Sequence, residues 1–225
     1  MTRNIVVVGT GGHARELLDV IEAMNVEEPG LFHMLGFLDD ALERHGRLVR
    51  GHAVLGSVEW LETRRHDPPW FVVGIGSPAA RRLTAARAEQ FGARPATLVH
   101  PSAVIAHNVR IGEGSVVTAN ATLTCDITLG VQVHVNIAAT ISHDCIVGDY
   151  ALLGPGSHLA GNVRVGAGCD VGIGAVVIQG LEVGEWSIVG AGTVVVQSVP
   201  ANVTVVGAPA RVVKTRPAGW HLTSN

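Results

Sequence analysis

From Val99 onward, every sixth residue is aliphatic. The series runs Val99, Ile105, Ile111, Val117, Leu123, Leu129, Val135, Ile141, Val147, Leu153, Leu159, Val165, Val171, Val177, Val183, Val189 and Val195, and no insertion interrupts it. A period of six fits neither a helix, which repeats every 3.6 residues, nor a plain strand, which repeats every two. It fits a triangular solenoid with three short strands per turn, each placing one aliphatic inward. Gly112, Gly130, Gly148, Gly166 and Gly184 each follow a repeat aliphatic and recur every eighteen residues. Three hexapeptides therefore make one coil, and these glycines mark one corner, where φ > 0 is expected.

Strand alternation sends the residue two before each aliphatic inward as well. Those positions include Ala103, Ser115, Ala121, Ala139, Cys145, Ala151, Ser157, Cys169, Ala175 and Ser187, and most are small. A narrow prism has room for one branched and one small side chain per face. Composition agrees: 47% of residues are hydrophobic but only 4% aromatic, so small aliphatics must build the core. No coil buries its core alone, so stacking is obligatory.

Residues 1–97 follow another pattern. Asn4 to Val8 reads as a buried strand, Gly9-Thr10-Gly11-Gly12 as a turn and His13 to Met24 as a helix. Met34 to Leu38 and Phe71 to Ile75 read as strands, and Pro78 to Phe91 as a second helix starting on proline. Strand–helix alternation predicts a small parallel α/β domain, half of a Rossmann-type fold. The solenoid is expected over 98–198. Residues 199–225 leave the period, and Pro200 to Val213 are expected to fold back as a cap. The net charge of −3 does not suggest a nucleic-acid or membrane surface. Three cysteines without C-x-x-C spacing suggest a reducing cytoplasm. The N-terminus carries no signal-peptide pattern, and no apolar run approaches a membrane span.

Gly9 to Ala14 fits G-x-G-x-x-G/A between strand and helix, and Asp39-Asp40 ends the next strand. Such a turn can bring backbone N–H groups and a helix start to phosphate, while the acids take ribose hydroxyls. A plain tight turn fits equally well. A nicotinamide-dependent dehydrogenase is a competing reading, but the domain holds only half of a full dinucleotide fold. His13, at the helix start, is either a capping residue or a ligand contact. Among the solenoid histidines, no two of His100, His107, His134, His143 and His158 stand five residues apart, so the zinc pattern H-x-x-x-x-H is missing and no metal is expected. His143 sits two past Ile141, at a corner, with Cys125 eighteen before and Gly161 eighteen after. It therefore occupies an open slot, and Asp144 beside it could fix its tautomer, as a general base requires. A solvated corner histidine explains the same spacing. His134 and His158 precede repeat aliphatics, so both are expected to point outward, where either could line a subunit contact.

The set GTGGHA, GFLDD at 36–40, VHPSA at 99–103, ISHD at 141–144 and VGAPARVVK at 206–214 resembles the NeuD/PglD type of sugar acetyltransferases, over essentially the whole chain. The resemblance implies a left-handed parallel β-helix, a homotrimer, acetyl-CoA as co-substrate and a nucleotide-linked sugar as acceptor. N-acetylation of a 4-amino sugar is the first implication, and O-acetylation of sialic acid or another sugar the alternative; a non-catalytic β-helix scaffold is the weaker one. It further implies His143 as general base, oriented by Asp144. Asn136 would lie near the acceptor amine, and Gly11, Gly12, His13, Asp39 and Asp40 would contact the nucleotide-sugar. Gly161, Gly172, Ile173, Gly174 and Ala191 would form the coil edge carrying the pantetheine arm, with Pro209 to Lys214 near the nucleotide end of the coenzyme. Some members carry a second histidine nine residues after the base. This chain has Leu152 there; if that histidine polarises the thioester carbonyl, another donor must do so here, and a backbone N–H near Gly161 is the expected substitute.

Overall fold

The computed structural model describes residues 2–222. The chain forms two compact units. One runs to Gly76 and resumes over Ala80–Pro101; the other takes Ser77–Ala79 and everything from Ser102 on.

The first unit is a sheet between helices. Its strands are β1 (Arg3–Val8), β2 (Phe32–Leu38), β3 (Leu48–Val49), β4 (His52–Gly56), β5 (Trp70–Val73) and β6 (Arg94–Pro95), ordered β3-β4-β2-β1-β5-β6. All neighbours are parallel except β3 and β4. Ile5 to Val8 are buried throughout, as befits a central strand covered on both sides. Helix α1 (Gly12–Glu27) starts one residue earlier and ends three later than the pattern predicts, and α2 spans Pro78–Gln90. The β3–β4 hairpin escapes the sequence reading because His52 and Gly56 break the apolar pattern of a short strand. Among the described residues no helix is long and apolar enough to cross a membrane.

The second unit is a left-handed parallel β-helix with three faces. The first face stacks Val116–Val117, His134–Val135, Leu152–Leu153, Asp170–Val171 and Ile188–Val189. The second runs from Val104–Ile105 to Val194–Val195, and the third from Val109–Ile111 to Glu182–Val183. Strands eighteen residues apart pair in register, for example Leu123 with Ile141. No repeat aliphatic is exposed: Val99, Ile105 and Ile111, at the start of the stack, are half-buried, and every one from Val117 to Val195 is buried. The small inward residues are equally buried from Ser115 to Ser187.

The corner glycines correct one expectation. From Asn108 to Gly192, each sixth residue is left-handed, with φ between 54° and 72°, and these positions hold mainly Asn, Asp and Gly. The left-handed residue stands three past the aliphatic, whereas Gly112, Gly130, Gly148, Gly166 and Gly184 stand one past it and have no positive φ. They are glycine because the next coil is too close. A Cβ on Gly148 would stand 2.6 Å from the Ala167 nitrogen, and one on Gly166 2.5 Å from that of Glu185. The C-terminal segment also differs from a simple cap. Val203–Val206 adds one more parallel rung beside Ile188–Val189, and only then does Arg211–Thr215 return antiparallel on it.

Candidate active site

In the first unit, the ends of β1, β2 and β5 surround a cavity of about 330 Å³. Gly9, Thr10 and Gly11 form one side, Asp39, Asp40 and Arg44 another, and Val58, Ile75 and Thr84 the remainder. Gly9 has φ +101°, and a Cβ there would press on the Gly74 carbonyl at 3.2 Å, so the turn can sit this close to β5 only as glycine. Helix α1 begins at Gly12 with Gly11 as its N-cap and no acidic residue in its first turn, which leaves the positive end of its dipole uncompensated.

Asp39 organises this cavity. Its Oδ2 accepts from Thr10 Oγ1 at 2.5 Å and from Arg44 Nη1 at 2.9 Å, and its Oδ1 accepts from the Ala41 N–H at 3.0 Å. Arg44 Nη1 also donates to Thr10 Oγ1 at 2.8 Å. Desolvation alone would raise the Asp39 carboxyl, but the Thr10, Ala41 and Arg44 contacts outweigh it and hold the carboxyl below its usual range. A depressed carboxyl contributes in full above that range and loses its contribution only as pH falls through the depressed value. Asp40 points to the rim, where Arg87 donates to it at 2.7 and 3.3 Å and bridges to Glu59 at 2.5 Å. Ser57 and Arg87 pull the Glu59 carboxyl down to about 2.

Gly12 and His13 do not line this cavity. The His13 side chain is 14% exposed and its Nδ1 lies 3.1 Å from Glu16 Oε2. Desolvation lowers its pKa, with the Arg81 charge adding to the effect and Glu16 opposing it. Arg81 is wholly buried and donates to the carbonyls of Ile75 and Gly76, fixing the loop that carries Ile75. His13 follows Gly11 of the cavity wall by two residues but is not itself part of that wall. Thr10, Arg44, Arg87 and Glu59 were not singled out from sequence. Arg44, five residues after Asp39, is the one that charge pairing could have flagged.

In the second unit, the turn between the second and third faces carries His143. Its side chain is 62% exposed, and Nδ1 lies 2.8 Å from Asp144 Oδ2. With Nδ1–H donating to that carboxylate, Nε2 keeps its lone pair for a proton. Asp144 occupies the left-handed corner position, φ +62°. Its N–H donates to the Cys125 carbonyl below, and the Asn162 N–H donates to the His143 carbonyl from above. These bonds place Cys125, His143 and Gly161 in one vertical file. A Cβ on Gly161 would meet the His143 ring, 2.5 Å from Cε1 and 2.6 Å from Nε2. The imidazole leans over that glycine. The Cys125 thiol is pushed up by desolvation and by the Asp126 and Asp144 carboxylates, so it is not a thiolate at neutral pH.

The other residues expected on the coil edge fall elsewhere. Asn136 lies at the turn between the first and second faces, its Oδ1 accepting the Ile137 N–H at 2.7 Å. Gly156 N–H donates to the Ile137 carbonyl, Gly174 N–H to that of Pro155, and Gly192 N–H to that of Ile173. Gly172, Ile173, Gly174 and Ala191 therefore file above Asn136, whereas Gly161 files above His143. The five do not share one edge, because 161 and 173 differ by twelve residues, two thirds of a coil. The outward expectation for His134 is also corrected. It is 1% exposed, buried together with Val116, Thr118 and Gln132, and so cannot line a subunit contact, whereas His158 is exposed and bonded to Thr140 Oγ1 at 2.9 Å. Among the described residues no group of three or more His, Cys, Asp or Glu side chains could hold a metal ion.

A glycine-turn α/β unit ahead of a hexapeptide β-helix with a His–Asp corner defines the class of two-domain β-helix transferases. The family model described as the PglD N-terminal domain matches residues 4–88. GDP-perosamine N-acetyltransferase of Escherichia coli O157:H7 is 32% identical over 131 residues, and the match spans 58% of each chain, so this chain covers little more than half of that relative's length. Among solved structures, PerB from Caulobacter crescentus, in complex with CoA and GDP-perosamine, superposes with a TM-score of 0.86 at 33% identity, covering 94% of this chain and 97% of that one. The acetyltransferase domain of PglB from Neisseria gonorrhoeae FA1090, in complex with acetyl coenzyme A, gives 0.84 at 31% identity, covering 95% and 100%. The chain belongs to the PglD-type family of sugar acetyltransferases.

Proposed function

We propose that this protein transfers acetyl from acetyl-CoA to the amino group of a nucleotide-linked 4-amino sugar, with His143 as general base and Asp144 orienting it. One observation carries the reading: an exposed imidazole bonded through Nδ1 to Asp144, in a chain that matches PerB bound to CoA and GDP-perosamine along nearly its whole length. Nε2 takes a proton from the acceptor ammonium. The freed amine attacks the thioester carbonyl, the C–N bond forms, the C–S bond breaks, the imidazolium returns its proton to the departing thiolate, and the second nitrogen proton leaves to solvent as the amide forms. The Gly161 N–H is the donor we assign to the thioester oxygen in place of a histidine at Leu152. No covalent intermediate or metal is required, since the thioester is already activated.

The first domain, 1–97, holds the nucleotide at the cavity beside Gly11, Asp39 and Asp40, and the β-helix, 98–198, carries the chemistry. The pantetheine arm lies along Gly161, Gly172, Ile173, Gly174 and Ala191, and the segment 199–225 closes the stack. Because those residues and Asn136 divide between two corners, one copy cannot gather them, which supports a homotrimer with each site shared by two copies. Face chemistry supports it further. The third face exposes Arg110, Arg164 and Glu182, whereas the second carries Thr122, Thr140, Val176 and Val194, half-buried and uncharged. Sedimentation should give a trimer, and a stable, active monomer would contradict this. Cys125, Cys145 and Cys169 are all free, which supports a cytoplasmic setting.

The functional test is thiol release from acetyl-CoA with a panel of nucleotide-linked amino sugars; turnover with none of them would overturn the assignment. Within that assay, Asp39→Ala strips Arg44 and Thr10 of their shared acceptor. A charge-assisted hydrogen bond contributes about 1.5–3 kcal/mol. The KM for the nucleotide-sugar should therefore rise roughly 10- to 100-fold, with that for acetyl-CoA little changed. His13→Ala should do less, since His13 lies off the cavity. Equal losses for both substrates would mean that the domain roles are wrong.

A further inference from the structure

We infer that Gly161 is a positioning residue for the base: the bare Cα is the surface on which the His143 imidazole rests, and it sets where Nε2 stands. This rests on the reading of His143 as base. Gly161 differs in kind from the glycines that let coils approach. A Cβ on Gly112, Gly130, Gly148, Gly166, Gly172 or Gly184 would strike main chain of a neighbouring coil, whereas on Gly161 its three nearest neighbours are all imidazole atoms, at 2.5, 2.6 and 3.1 Å. Nor is Gly161 held by its conformation, since its φ is not positive. The closest contacts of a side chain here therefore all fall on His143.

The ring edge nearest that point carries Cε1 and Nε2, and Nε2 must accept the proton. Nδ1, the third of those atoms, is held by Asp144 at 2.8 Å. The imidazole is therefore fixed at two points, a carboxylate at Nδ1 and a glycine Cα beneath its leading edge. A methyl group at 161 forces the ring to swing away, which breaks the Asp144 contact and displaces Nε2 together. The side chain below, Cys125, offers no such support, because the ring leans the other way.

Gly161→Ala retains the backbone N–H and so isolates the effect of the Cβ. Expected results are a 10- to 100-fold loss of kcat, KM values for both substrates within about threefold, and a melting temperature within a few degrees of wild type. In ¹⁵N NMR, the His143 signature of an Nδ1–H, Nε2-unprotonated ring should give way to a mixture of tautomers. The decisive arm is a double-mutant cycle: added to His143→Ala, which removes the ring above the glycine, Gly161→Ala should cost far less than it costs alone, whatever its methyl does to the pantetheine arm. A loss in the double variant as large as in the single one, an unfolded single variant, or lost activity with the His143 ¹⁵N pattern intact would each overturn the inference. Full activity of His143→Ala would instead overturn the base assignment. The NMR signature still reads the packing in that event, so the two failures are distinguishable.

Discussion

Replacing His143 by alanine is expected to lower kcat by roughly two to four orders of magnitude, the usual contribution of a positioned general base. The KM for acetyl-CoA should hardly move, because the arm assigned to it runs along backbone of other residues. The acidic limb of the pH–rate profile should disappear, because the group that must be unprotonated is gone. Asp144→Asn should cost less, since it orients the ring through Nδ1 and moves no proton. A variant with near-normal turnover and an unchanged acidic limb would show that His143 is an ordinary corner residue. His158 would then be next, since it is exposed on the second face, whereas His134 is buried.

A large effect on stability is expected at a glycine with unremarkable backbone angles. Gly148→Ala places a Cβ 2.6 Å from the Ala167 nitrogen and 2.9 Å from the Gly166 carbonyl carbon. Neither can rotate away, so two coils must part. Overpacking of this kind costs about 1–3 kcal/mol, and two backbone segments place it toward the upper end. Gly156→Ala makes the useful contrast. Its φ is +60°, but nothing lies within 4 Å of the added methyl. The cost there is the left-handed conformation alone, about 1 kcal/mol, and Ala138 already adopts it at +54°. Urea unfolding of both variants checks the order. A costlier Gly156→Ala would mean that corner conformation, and not coil approach, selects these glycines.

The solenoid was legible because its signal repeats. One inward aliphatic per six residues, reinforced from Val99 to Val195, leaves no competing register, and the burial of the series follows from it. The same arithmetic separates the corners: Asn136 and His143 are seven residues apart, which in an eighteen-residue coil is adjacent turns and never one edge. The reason for the glycines is not legible in sequence, because a repeating glycine looks alike whether φ or clearance demands it, and only the spacing of coils decides. In the first domain, the glycine turn and Asp39 were legible as a motif. The partners that shape the cavity were not: Arg44 and Thr10 meet Asp39 through tertiary folding, where the ends of β1 and β2 and the short turn Leu42–Arg44 come together. His134 shows the same limit, since a residue that alternation sends outward can still be covered by other parts of the fold.

The chemical nature of the product is the most direct test of the proposed activity. Incubation with acetyl-CoA and a nucleotide-linked 4-amino sugar, followed by mass spectrometry before and after hydroxylamine treatment, should give a singly acetylated nucleotide-sugar that hydroxylamine leaves intact, because an amide resists it, and the His143→Ala enzyme should form that product hundreds of times more slowly. A product that hydroxylamine cleaves would mark an ester and make the enzyme an O-acetyltransferase. No acetylated product from any nucleotide-linked amino sugar would contradict the account outright.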